Sequence, residues 1–489
     1  MKKIYIPLTL LTFALVASNC SNDFINVDPT ESIAEKDLLS IYNNDEGAAS
    51  FVTAIYSKNL DWNMSSFSWN GLSSMTSDDA NKGSDPGDTG TDKDKCDALT
   101  LDATSLSVLD VFEANYQGIN RANVALLYLP KLDQANADLK ARLTGEAKFL
   151  RALMYFNLVR CYGGVPIVDH VPLPSSQADT DMTLTRNSKE EVYTFIENEL
   201  LAAIAVLPEK YPTTDTGRAT RGAARALLAK VYLYQKNWQG IKDQCAAITG
   251  YTLVSDYATI WREVGEDNTE SIFEIRGYAG KPSQGIEGYM VSQGARGTSG
   301  WGWGFNTPTT SLSNSYEVGD VRKDATIIFA GETLWDGRIV SPKVANPMYN
   351  EKAYVSNKKE TFNGGDWETT KNIRVLRYAE VLLMQAEAAN ESGTGDVTGP
   401  LNKVRKRAGL ANTTAVGQIA LRDAIRLERR HELAFEHDRW FDIVRTGQAK
   451  EVMAADGKTF VEGKNELFPL PQKFITQAAG KSAQNPGYN

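Results

Sequence analysis

The sequence predicts a mostly α-helical fold, a scaffold of tetratricopeptide-like helix pairs carrying one long loop-rich face. Three observations predict it. Six segments repeat apolar residues at three- and four-residue steps, the spacing that lays a core stripe along one face of a helix. Two neighbouring pairs of helical segments are separated by short links, which makes each pair an antiparallel hairpin. Two long stretches, 61–110 and 251–371, lose that period and fill with Ser, Thr, Asp, Gly, Asn and aromatic residues.

In chain order, Lys2 and Lys3 precede an apolar run from Ile4 to Ala17. A charged start and an apolar stretch of about 14 residues are the layout of an export signal; a spanning helix needs about 20. Val16-Ala17-Ser18-Asn19-Cys20 resembles a bacterial lipobox, with Asn19 where Gly or Ala is usual. Residues 1–19 are therefore expected to be removed as a lipoprotein signal peptide, and Cys20 to be acylated. Each buried lipid CH₂ contributes about 0.8 kcal/mol, so several chains anchor firmly where one does not. Residues 20–489 are expected to form a single domain, with an N-terminal half to 250 and a C-terminal half from 251.

The helices follow. Residues 139–162 carry Leu143, Ala147, Leu150, Leu153, Met154 and Leu158; 190–207 carry Val192, Phe195, Ile196, Leu200, Ile204 and Leu207; 220–236 carry Ala224, Leu227, Leu228, Val231 and Tyr234. A helix from Trp238 to Ile248 folds back over Gln235-Lys236-Asn237, and the segments 372–391 and 418–446 keep the same period. Ala386–Ala389, Gly393 and a helix near 400–407 read as a second hairpin. No strict repeat of about 34 residues is visible, so the units are degenerate, and such pairs bury their faces only by stacking. In the long loops, Ser271–Ile275 reads as a short strand, and aromatics among the glycines favour an ordered, functional surface.

Composition narrows the function. The chain is 489 residues long, 42% hydrophobic and 23% charged, with a net charge of −9, an ordinary globular balance. An acidic chain lacks the basic footprint that nucleic acid requires. It also argues against a strongly anionic ligand unless a local basic pocket overrides it. Beyond Cys20, the thiols Cys96, Cys161 and Cys245 have no paired spacing, and Cys161 and Cys245 fall in helical patterns as buried apolar residues. His431-Glu432-Leu433-Ala434-Phe435 fails the zinc-protease pattern, because Phe435 stands where the second His is needed. Glu428, Glu432 and Glu436, at four-residue spacing among arginines, are expected to form ion pairs along their own helix. GxSxG, Walker and CxxC motifs are absent from the sequence. A carboxylate pair for glycoside hydrolysis stays open, because separation in space is invisible here.

Four blocks carry a family resemblance. They are Glu146 to Ala152 with Tyr155-Phe156 and Tyr162-Gly163-Gly164-Val165-Pro166; Arg374 to Ala388; Ile425 to Gly447; and Leu467 to Pro471 with Gln484 to Tyr488. In this order they resemble the SusD/RagB family, with Asp23 to Pro29 similar to its mature start. One departure is His437, where the family usually has Gly. The resemblance implies a helical scaffold with tetratricopeptide-like pairs and a loop-rich face. It implies a non-catalytic glycan binder, with no cofactor, that serves a SusC-like TonB-dependent outer-membrane transporter. The polar residues after Cys20 resemble the signal for the outer face of the outer membrane, so a lipid-anchored, cell-surface location is expected. The alternatives are a lid subunit of a peptide or other nutrient importer with little affinity of its own, and a surface glycoside hydrolase.

A sugar site needs aromatic platforms for the C–H faces and polar groups for the hydroxyls. Trp301 and Trp303, set between glycines in Gly300 to Phe305, lead the candidates. Trp62 and Trp69 flank the first long loop, Trp69 in a turn-like Ser68-Trp69-Asn70-Gly71 expected to expose it. Asp78 and Asp79 open a stretch with seven aspartates between 78 and 97. That stretch reads first as solvated loop charge, next as a sugar contact, and last as a Ca²⁺ site, since it matches no EF-hand loop. Tyr289, Arg296, Trp335 and Trp367 are weaker candidates, and Trp440 reads as core.

Overall fold

The computed structural model describes residues 35–277, 287–361 and 369–488. The export segment, Cys20, the 21–29 start and Trp367 lie outside the described residues. The N-terminal half is built from α1 (Asp45–Lys58), α2 (Leu106–Tyr128), α3 (Ala137–Tyr162), α4 (Lys189–Val206), α5 (Arg221–Gln235) and α6 (Trp238–Ala246). The C-terminal half carries α7 (Glu287–Gln293), α8 (Tyr378–Ser392), α9 (Thr398–Arg407), α10 (Gln418–Leu433) and α11 (Arg439–Arg445).

Local chemistry sets the helix ends. Ser188 and Glu191 form a reciprocal cap at the start of α4, with Glu191 N donating to Ser188 Oγ at 3.1 Å and Ser188 N to Glu191 Oε2 at 2.7 Å. The α5–α6 hairpin turns at Lys236, in the left-handed region at φ 57°, and Asn237 caps α6. α8 stops at Gly393, φ 68°. Consecutive helices pack α2 on α3, α3 on α4, α4 on α5, α5 on α6, α6 on α8, and α8 on both α9 and α10. α3 is the centre of this stack, and every residue from Phe149 to Val159 is buried. Arg151 in that run is tied to Glu199 of α4 at 2.7 Å. Cys96, Cys161 and Cys245 are buried free thiols. No helix among the described residues is long and apolar enough to cross a membrane.

Short antiparallel ladders tie the loops to the scaffold: β1 (Ala80–Gly83) pairs with β3 (Phe305–Pro308), β2 (Ser271–Ile275) with β6 (Ile373–Arg377), and β4 (Ile327–Phe329) with β5 (Met348–Asn350).

Four expectations are corrected. The stretch 61–75 is not loop: Trp62–Ser65, Phe67–Asn70 and a π turn at Gly71–Met75 make it helical. The segment 372–391 begins as strand β6, because it is recruited by β2. The segment 418–446 is two helices, not one. Phe435 and His437 sit in the left-handed region at φ 63° and 69°, and the chain turns there. For an L residue that backbone costs about 1–2 kcal/mol, which explains why glycine is usual at position 437. Here the His437 ring compensates by bonding Ser73 Oγ through Nδ1 at 2.8 Å and packing against Trp69 and Tyr289. Finally, the glutamates of 428–436 pair across elements, not along their helix: Glu428 with Arg322 and Arg405, Glu432 with Arg377 and Arg407, and Glu436 with Lys352 and Arg377.

Candidate functional site

The β1–β3 ladder brings the two long loop regions together, with Asn81 opposite Thr307 and Gly83 opposite Phe305. Just before β3, the segment 300–304 is zippered onto the end of α7. Trp301 N and Gly302 N donate to Ala295 O at 2.8 and 3.0 Å, and Trp303 N donates to Val291 O at 2.8 Å. A Cβ at Gly300 would lie 2.2 Å from Ala295 O, and one at Gly302 2.4 Å from Val291 O. Only glycine allows this approach, and it leaves the intervening tryptophans on the loop face.

Trp303 meets Trp62 with ring centroids 5.5 Å apart, and Phe67 closes the group at 5.5 Å from Trp62. Trp62 rests on Gly288 of α7, where a Cβ would come within 2.4 Å of its ring. It remains 38% exposed, so this cluster forms an aromatic ledge. Trp301, half-buried, lies on the other side of Gly302. Its ring is 5.3 Å from that of Tyr354, and the Arg338 guanidinium sits 4.6 Å over it. A pocket of about 70 Å³ opens here, lined by Trp301, Arg338, Met290, Val291, Val355 and Asn357 among others. Trp335 is 37% exposed and edges onto the same Tyr354 at 6.5 Å, with Arg262 at 4.3 Å over its ring.

Other candidates turn inward. Trp69 is 5% exposed, because its turn is helical and faces the core; it stacks on Phe441 at 5.9 Å. Asp78 and Asp79 are buried and not solvated: Arg439 and Arg430 reach Asp78 at 2.7 and 2.8 Å, and Arg430 reaches Asp79 at 2.7 Å. Burial pulls the Asp78 carboxyl up, but Arg439 and Arg430 outweigh it and hold it below its ordinary range. In Asp79 burial prevails over Arg430, with repulsion from Asp78 adding to it, and the carboxyl is raised. These two carboxylates brace the start of β1 through Arg430 and Arg439. Elsewhere in the stretch, Asp88 meets Arg296, Asp92 meets Lys93, Asp94 meets Lys82 and Asp97 meets Lys458. Among the described residues no group of three or more such side chains converges to hold a metal ion. Tyr289 is 8% exposed and packs edge-on against His437. Arg296 clamps the Asp88 loop to the 294–304 segment, bonding Asp88 and, at 2.9 Å, Ser84 Oγ. Trp440 is core, as expected.

Phe67, Arg338, Tyr354 and Asn357 were not singled out from the sequence. Phe67 opens a four-residue helix and the other three stand in irregular segments, none long enough to show a period, and only the tertiary fold brings them beside the tryptophans.

Comparison with known proteins bears on the fold and the family. A profile described as SusD family matches residues 269–488, and one described as starch-binding associating with outer membrane matches 40–233. A solved structure of a laminarin-binding SusD-like protein is 30% identical, with a TM-score of 0.78, over 91% of this chain and 100% of that one. The chain belongs to the SusD/RagB family. Within it, SusD-like protein P2 of Formosa agariphila is 28% identical over 76% of this chain and 79% of its own. The starch-binding protein SusD of Bacteroides thetaiotaomicron is 24% identical over 71% and 73%. Where a ligand is named for these SusD/RagB relatives it is a carbohydrate, laminarin or starch.

Proposed function

We propose that this chain binds a glycan on the Trp62–Trp303 ledge, with Trp301 and its pocket extending the site. It would hold that glycan at the cell surface for a SusC-like TonB-dependent transporter, anchored to the outer membrane through lipid on Cys20. The observation that carries the reading is the exposed Trp62 ring packed on Trp303, which itself rests on the main hydrophobic core, so the ledge is held by a rigid scaffold. Such a ledge offers apolar faces to sugar C–H groups. Residues 20–489 act as one unit in this reading, since β1 of the first half pairs with β3 of the second.

The test is a panel of soluble glycans, starch and laminarin included, run by affinity electrophoresis with reducing ends assayed in the same samples. Retardation by at least one glycan without new reducing ends is expected. Release of product would overturn the non-catalytic role. Failure of every glycan to bind would overturn the ledge assignment and favour a lid with little affinity of its own.

A further inference from the structure

We propose that the pocket beside Trp301 selects a glycan bearing an anionic substituent, a carboxylate or a sulfate ester, through Arg338; this rests on the glycan reading above. Seven arginines lie between 251 and 377. Six meet a carboxylate: Arg262 on Glu351 at 2.6 Å, Arg276 on Asp267 at 2.5 Å, Arg296 on Asp88, Arg322 on Asp320 at 2.7 Å, Arg374 on Glu274 at 3.5 Å and Arg377 on Glu432 at 2.9 Å. Arg338 meets none among the described residues; it lies over the rings of Trp301 at 4.6 Å and Tyr354 at 6.0 Å and donates a hydrogen bond to the Tyr354 hydroxyl. The chain has 61 acidic against 52 basic residues, so a shortage of carboxylates does not explain the exception.

The neighbouring carboxylates are committed elsewhere. Asp336, two positions before Arg338, is buried and accepts from Tyr354 Oη at 2.7 Å, Ser356 Oγ at 2.6 Å and the Arg338 backbone N at 2.8 Å. Glu360 turns inward and accepts from Glu263 N at 2.7 Å and Ser356 N at 2.8 Å. Lys359, exposed and 5.9 Å from the Trp335 ring centroid, adds positive charge on this side. A guanidinium presents a planar fork of donors that fits two oxygens of a carboxylate or sulfate group. Beside it, the Trp301 ring and the Asn357 amide can take the sugar that carries the group. This is a local basic pocket on an acidic chain, and it gives the loop face two subsites: an aromatic ledge at Trp62–Trp303 and a charged pocket at Trp301–Arg338.

The experiment is calorimetry of the purified protein with three oligosaccharide series, neutral, uronate-containing and sulfated, at low and high salt, using the wild type, Arg338→Met and Trp303→Ala. The expected result is that at least one anionic series binds more tightly than the neutral one and weakens with salt. Arg338→Met lowers that affinity by about tenfold or more, as for a lost charge-assisted bond, and removes the advantage of the anionic series over the neutral one. Trp303→Ala weakens every series that binds. Whichever anionic series shows the effect identifies the substituent. Equal binding of neutral and anionic glycans by the wild type, or unchanged anionic binding by Arg338→Met, overturns the inference while leaving the glycan site standing. Absence of binding in all three series removes the glycan reading itself.

Discussion

Trp62 and Trp69 stand seven positions apart in one helical stretch, and burial gives them opposite roles. Trp62→Ala is expected to cost about 1 kcal/mol of stability or less and to lower glycan affinity about tenfold. Trp69→Ala removes a core ring stacked on Phe441 and is expected to destabilise the fold by about 3–5 kcal/mol. Denaturant titration beside calorimetry separates the two. The three histidines offer a second check. Burial pushes His431 and His437 down to about 4, whereas hydrogen bonding to Asp169 raises exposed His170. NMR titration should show one imidazole protonating above the ordinary range and two remaining neutral at pH 5. The buried pair binds fewer protons folded than unfolded. Its contribution is therefore complete above the unfolded value of 6.5 and is lost as pH falls toward 4. Glu266 and Glu351, raised by burial from 4.5 to about 7, run the other way and lose their contribution as pH rises through that window. His431→Gln leaves the glutamates less opposed, so stability of that variant should fall more steeply than the wild type's as pH rises from 5 to 7, measured by thermal melts.

At the level of elements, α10 is held by charges that are almost wholly dry. Glu432 is fully buried and meets Arg377 at 2.9 Å, with Arg407 on the same oxygen. Burial alone would raise its carboxyl, but Arg407 and Arg377 outweigh that and hold it far below the ordinary range. Removing one partner of such a group strands the others, so Glu432→Gln is expected to cost about 3–5 kcal/mol, read by chemical denaturation. The β1–β3 ladder has a different job. At Gly83, φ 68°, a Cβ would come 2.3 Å from Gly304 O. Gly83→Val is expected to displace the 300–304 segment and lower glycan affinity about tenfold or more, while far-ultraviolet circular dichroism keeps its helical signal. These two elements also mark what the sequence could tell. The arginine–glutamate spacing of 426–439 was legible as ion pairing, but the partners lie on other elements and the spacing could not name them. The break after α10 was invisible, because Phe435 and His437 carry positive φ without a glycine to announce it.

Across the whole molecule, the scaffold was legible because α3 to α6 bury apolar residues at helical steps. α1 and α2 were not singled out. In α2 the buried face includes Asn115 and Asn123, whose amides bond the backbone at Val111, Val168 and His170, so its apolar period is diluted. The site was half legible. A pair of tryptophans between glycines pointed to the loop face, but which side chains stay at the surface depends on long-range packing of residues more than 200 positions apart, as between Trp62 and Trp303. The central claim is that this ledge binds glycan. It is tested most directly by calorimetry of the wild type and the Trp62→Ala/Trp303→Ala double variant with the best glycan from the panel. The account predicts saturable binding by the wild type and its loss in a double variant that still unfolds cooperatively. Undiminished binding by the double variant would contradict it.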